Sequence, residues 1–158
     1  MSTSSRVPAA ITAAVTAFAA VTPTAVEVLR GRQQATGGDQ GQRVYVGWSG
    51  DDADRVAADF DHAYRGLGAG RITETFTVRC CVIAWSGDDD PDALAVLEGA
   101  AFDILAPVQA EVRRQMTVPG SPFGLPLPCT VRLAAGQLIY DGVTRVRIPF
   151  GLNITTRI

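Results

Sequence analysis

The last stretch of the chain alternates. Val146, Ile148, Phe150, Leu152, Ile154 and Ile158 fall on one parity, and Arg145, Arg147, Pro149, Gly151, Asn153, Thr155 and Arg157 on the other. A period of two over residues 143–158 predicts an amphipathic strand buried on one face. A second alternation starts at Arg71, where Ile72, Phe76 and Val78 are set against Thr73, Thr75 and Thr77. It gives way at Cys80–Trp85 to residues apolar on both parities. That predicts a strand whose first half has a wet face and whose second half is covered on both sides. A helical period marks Pro91–Met116, with Leu94, Leu97, Ala101, Ile104, Leu105, Val108 and Val112 on one stripe. Pro107 predicts a kink or break within it. Ile11, Val15 and Phe18 share a stripe that predicts a helix from Pro8, a good first-turn residue, to Thr22, before Pro23. Arg6 and the run after it also have the outline of a weak secretory signal, but Thr12, Thr16 and the helical stripe favour the helix.

Shorter apolar runs at Ala25–Leu29, Arg43–Trp48, Cys129–Leu133 and Gln137–Tyr140 read as strands. Gly31–Gln42 is polar and glycine-rich. Ser49–Gly70 is rich in aspartate and reads as a long acidic loop, with one helical turn around Val56–Phe60. Val118–Pro128, with four prolines, reads as a rigid irregular loop. The order predicts one α+β domain over 1–158, a mostly antiparallel sheet flanked by an N-terminal helix and a longer central helix.

Composition narrows the function. Of 158 residues 47% are hydrophobic and 19% charged, with net charge −2, so no global field draws the chain to nucleic acid or an anionic membrane. All 14 basic residues are arginine. No run approaches the roughly 18 apolar residues of a membrane span. Cys80, Cys81 and Cys129 are odd in number, and two are adjacent, so they would point to opposite strand faces; free thiols are expected.

The motif W-S-G-D-D occurs twice, at Trp48–Asp52 and Trp85–Asp89. The second copy explains itself as a turn followed by a helix start, with Asp90 capping and Pro91 in the first turn. In the first, Asp51, Asp52 and Asp54 resemble part of a calcium loop but lack its glycine and its twelfth-position glutamate. If the two turns met at one sheet end they could hold a divalent ion weakly or serve a small metal-dependent hydrolase. His62 is the only histidine, and no nucleophile elbow, phosphate loop or zinc motif occurs. The reading is therefore a protein without catalytic residues, cofactor or metal.

The C-terminal strand points toward assembly. Pro149 has no N–H for a ladder, so it predicts an edge or a bulge. A long strand with an open edge is a hazard unless something covers it. Arg145, Arg147, Pro149, Gly151, Asn153 and Arg157 are then candidate interface residues. Charge is unevenly spread, with six aspartates in 39–61 and four arginines against Asp141 in 129–158. Opposite patches of this kind suit head-to-tail contacts, which close into rings.

The chain also resembles tail terminator proteins of long-tailed bacteriophages of actinobacteria. The similarity lies in V-P-A-A-I-T-A-A-V (Val7–Val15), R-V-Y-V-G (Arg43–Gly47), E-T-F-T-V-R-C-C-V-I-A-W-S-G-D (Glu74–Asp88) with the alanine-rich helix after it, and V-R-I-P-F-G-L-N-I-T-T-R-I (Val146–Ile158). Pro107 and Val118–Pro128 depart from it. The resemblance implies a homo-oligomeric ring, usually a hexamer, in the virion at the head-proximal end of the tail tube. There it would stop tube polymerisation and meet the head-tail connector, with no membrane partner. DNA would pass through its lumen without sequence-specific binding. Asp51, Asp52, Asp54, Asp59 and Asp61 are the candidate lumen-facing or partner-facing acids. A head-closure or connector protein is the alternative within the same neck assembly.

Overall fold

A computed structural model describes residues 5–32, 41–64, 72–87, 90–117, 119–134, 136–142 and 144–158. The elements in order are α1 (Val7–Val21), β1 (Glu27–Arg30), β2 (Gly41–Val46), β3 (Ala58–Tyr64), β4 (Ile72–Trp85), α2 (Pro91–Thr117), β5 (Thr130–Leu133), β6 (Ile139–Tyr140) and β7 (Arg145–Arg157). The fold is α+β, with two helices on a seven-stranded, mostly antiparallel sheet; the parallel β1–β2 pair is the exception among the described strands.

β4 and β7 form the sheet's spine. They pair antiparallel from Thr73↔Arg157 to Trp85↔Arg145. On the far side of β4 lie two strands end to end: β2 against Cys80–Trp85 and β3 against Ile72–Val78. On the far side of β7, β5 pairs with Leu152–Thr155 and β6 with Val146 and Arg147. The expectation of an edge strand at the C-terminus is thus overturned, because β7 lies inside the sheet. Its parity logic survives in smaller form. Odd-numbered β7 residues turn their backbone toward β5 and β6, as the Ala134 N–H to Gly151 C=O bond at 2.7 Å and the Asp141 N–H to Arg145 C=O bond at 3.0 Å show. Pro149 falls on that side, in the gap between β5 and β6, where a missing N–H costs no ladder bond.

The reading of 49–70 as one acidic loop needs a second correction. There is no helical turn at Val56–Phe60; Ala58–Tyr64 is a strand, hairpinned on β4. Its alternation (Asp59 and Asp61 against Ala58, Phe60 and His62) has the period of two, which the aspartates disguised.

Both helices cover one face of the sheet. α1 buries Ala10, Ile11, Ala14 and Phe18. α2 buries Leu97, Ala101, Ile104, Leu105, Val108 and Val112 against Val78, Cys80, Val82, Ile148, Leu152 and Ile154. α2 runs through Pro107 as one 27-residue helix, so of the expected kink or break there is no break. It is also long and apolar enough, at mean hydropathy 1.4, to match a membrane span by length and composition, which the sequence reading missed. Here its main apolar stripe forms the core of the domain.

The opposite face divides in two. Over β2 and the second half of β4, the Gly47–Ala57 segment folds back and encloses a small second cluster of Tyr45, Trp48, Cys81 and Ile83. Over β3 and the first half of β4 the face is uncovered and polar, carrying Asp59, Asp61, Thr75, Thr77, Asn153 and Thr155.

Candidate functional site

The two W-S-G-D-D turns do different jobs at different places. In the β2–β4 ladder Gly41 faces Trp85 and Val46 faces Cys80. Trp48 and Trp85 therefore leave opposite ends of that ladder, about 17 Å apart at roughly 3.3 Å per residue. The two turns thus leave the ladder at opposite ends, and among the described residues no cluster of three or more His, Cys, Asp or Glu suited to a metal occurs. In the first turn Trp48 stands edge-on to Tyr45, ring centroids 4.8 Å apart, and donates Nε1–H to the Asp51 carbonyl at 3.1 Å. Gly50 has φ +84°, and a Cβ there would come within 3.0 Å of Cys81 Sγ, so the turn needs glycine twice over. Asp51 accepts from the Ala53 N–H and Asp54 from the Val56 N–H. Asp52 pairs with Arg32 at the surface. That Val56 bond, working against a small desolvation cost and helped by Ser49 and Arg79, holds the Asp54 carboxyl below its usual range. In the second turn Asp90 accepts the Asp92 N–H at 3.0 Å and caps α2, as its sequence context predicts. Asp88 and Asp89 lie outside the described residues.

A buried carboxylate sits where the pattern on β4 had an unremarked position. Glu74 is fully buried on the helix face. It accepts from Ser5 Oγ at 2.6 Å and the Arg6 N–H at 2.7 Å, and His62 Nε2 lies 3.0 Å away. Burial opposes its charge, yet the bonds from Ser5, Arg6 and His62 outweigh that and keep the carboxyl below its usual range. Ser5 and His62 both meet the carboxylate and not each other, so this is not the serine–base–acid order of a nucleophilic triad. It tethers the start of α1, where Arg6 makes no side-chain cap bond and Ser5 Oγ accepts the Val7 N–H at 3.2 Å, to the β3–β4 hairpin.

The thiols are packing groups. Cys80 and Cys81 face opposite sides, one in each cluster, as adjacency on a strand predicts. All three cysteines are free and buried, and burial pushes the Cys81 thiol up to about 12 and raises Cys80 and Cys129 as well.

The candidate interface residues on β7 share the helix-free face but not one role. Arg147 pairs with Asp141 at 2.8 Å and Arg145 at 3.6 Å. Their guanidinium groups also reach the Ser49 and Gly50 carbonyls at 3.4 Å, bracing the Gly47–Ala57 segment from beneath. Gly151 is buried, and a Cβ on it would stand 3.0 Å from Thr77 Cγ2. Asn153 bonds Thr77 across the ladder. Arg157 alone is exposed. Of the candidate acids, Asp54 and Asp59 flank Arg79 at 3.1 and 3.0 Å, while Asp61 follows on the same bare face.

Open flanks lie elsewhere: among the described residues β1, β3, β5 and β6 each have one pairing partner, and β3 and β5 stand on opposite flanks of the same two strands. Among the described residues β3 pairs only with β4 and β5 only with β7, so β3–β4–β7–β5 is a four-stranded slab open on both flanks. One flank carries Asp59 and Asp61 on the bare face and Phe60, 62% exposed, on the helix face. The other carries exposed Arg132 on the bare face and, on the helix face, a groove of about 530 Å³ lined by Val112, Met116, Val131 and Leu133 with Gln109 and Arg113. Phe60 and Arg132 were not singled out from the sequence. The period of two at 58–63 was the available signal for the first.

No protein-family profile matches the chain, and no curated protein sequence matches it.

Proposed function

We propose that the chain is a structural virion protein of the tail terminator type. It assembles as a homo-oligomeric ring, a hexamer by the resemblance, on the head-proximal end of a phage tail tube. There it stops tube growth and presents a surface to the head-tail connector. The observation that carries the reading is the slab open at both flanks, acidic on one and basic on the other. Flanks that differ and complement each other favour head-to-tail contacts, and those close into rings when the rotation allows. The sequence resemblance supplies the tail context. The bare face is polar, with Asp59, Asp61 and short Thr and Asn side chains beside Arg79, Arg132 and Arg157; as a lumen wall its carboxylates would repel phosphate, with Arg79 held between Asp54 and Asp59. In this reading the work is done by shape and contact, with no bond made or broken.

Electron microscopy of the purified protein, alone and mixed with tail-tube protein, tests it. Rings with cyclic symmetry that sit at one end of the tube are expected. Immunogold labelling then separates a terminator, which stays on free tails, from a connector component, which stays on free heads. Particles that remain monomeric in every mixture would sink the proposal.

A further inference from the structure

We infer that β3 of one copy adds to β5 of the next, continuing the sheet from subunit to subunit, with Phe60 seated in the groove between β5 and the last turns of α2. This deepens the assembly reading and rests on it.

Backbone alternation decides which groups each flank offers. The Arg79 N–H bonds the Ala57 carbonyl and the Arg79 carbonyl accepts the Gly47 N–H, so odd-numbered β4 residues aim toward β2 and β3. Their β3 partners Asp59, Asp61 and Ala63 spend their backbone groups inside the hairpin. Ala58, Phe60 and His62 then direct N–H and C=O outward. On the other flank Thr130 and Arg132 face the odd residues of β7, which leaves Val131 and Leu133 directed outward. The Val131 N–H meets Met116 Sδ at 3.2 Å, a weak acceptor standing where a strand carbonyl would fit.

The two flanks match in direction, in side-chain face and in charge. β3, β4, β7 and β5 are successively antiparallel, so β3 and β5 run opposite ways. A second copy brought alongside without inversion therefore sets its β3 antiparallel to β5, with its helices on the same side. Residues directly opposite share a face. If Phe60 faces Val131, Asp59 faces Arg132; if Phe60 faces Leu133, Asp61 faces Arg132. Both registers place an aspartate across from the exposed arginine on the bare face and Phe60 over the apolar groove on the helix face. Because the two flanks belong to one subunit, each copy is both donor and acceptor, and the contact repeats around a ring.

A photo-cross-linking residue in place of Phe60, in protein mixed with an isotopically heavy copy, tests the contact. Cross-links from light to heavy chains are expected at 112–116 and 131–133. Arg132→Glu should weaken assembly at least about tenfold, the loss typical of a central contact, and adding Asp59→Arg and Asp61→Arg should restore it. Circular dichroism would establish that each variant folds, and Phe60→Ser, at an exposed position, supplies a variant with little risk to the core. Intact rings whose cross-links fall elsewhere, or which Phe60→Ser and Arg132→Glu leave unchanged, overturn this contact and leave the ring reading standing. A chain that stays monomeric, alone and with tail-tube protein, overturns both.

Discussion

At the scale of single residues, Glu74 has the largest stake. Removing it leaves the Arg6 N–H and the Ser5 hydroxyl without this acceptor and takes away the tether between the start of α1 and the hairpin. Glu74→Ala is expected to cost about 2–4 kcal/mol, given what hydrogen bonds to a buried charged group contribute, as read from urea denaturation. A cost near zero would show that the tether is idle. The pH dependence follows from the sign of the shift. Glu74 holds its proton less tightly folded than unfolded, so its contribution is complete above the ordinary carboxylate range. That contribution drains away as pH falls through the lower folded value. The wild-type protein should therefore have a steeper acid limb in its stability profile than Glu74→Gln, and matching limbs would contradict the assignment. Nothing in the pattern marked Glu74, because a carboxylate on an apolar parity looks like an interruption. Only the fold brings Ser5 and His62, 69 and 12 residues away, to it. Trp48 offers a separate check. It shields Cys81 in the second cluster, so the folded protein should show no thiol reacting quickly with a disulfide reagent and Trp48→Ala should expose one. Rapid labelling of the wild type would mean that the Gly47–Ala57 segment does not stay closed.

At the scale of elements, the strands with clean periodicity were legible. β4 and β7 appear within a residue or two of their predicted limits, and α1 and α2 likewise, because a buried face imposes its period on the sequence. β3 was not legible as a strand, since its wet face is made of aspartates, which usually signal turns. β7 was legible as a strand but not by position. Pro149 indicates an absent ladder bond, and the sequence cannot say whether that absence lies at a sheet edge or in a gap between two short neighbours. In α2, Pro107 removes one helical hydrogen bond without breaking the helix. Pro107→Ala should raise stability by about 1–3 kcal/mol, up to the usual penalty of an interior proline, measured by thermal unfolding. A loss of stability would indicate that the helix needs the proline's shape to lie on the sheet.

At the scale of the whole molecule, the sheet is asymmetric in a way that single elements do not reveal. One half is covered on both faces, and the other is covered on one face and open at both flanks. The W-S-G-D-D turns, which look from the sequence like a shared site, leave opposite ends of the β2–β4 ladder. The flanks at β3 (Ala58–Tyr64) and β5 (Thr130–Leu133) are far apart in the chain, and their complementarity is visible only once β4 and β7 set them at equal height. The central place of β7 has one more consequence, for synthesis. Every other described element precedes the strand that joins β4 to β5 and β6. A nascent chain emerging from the ribosome can form its helices and the β3–β4 hairpin early. It cannot close its core until residue 157 has cleared the exit tunnel, and a chain halted before residue 145 should be protease-sensitive throughout.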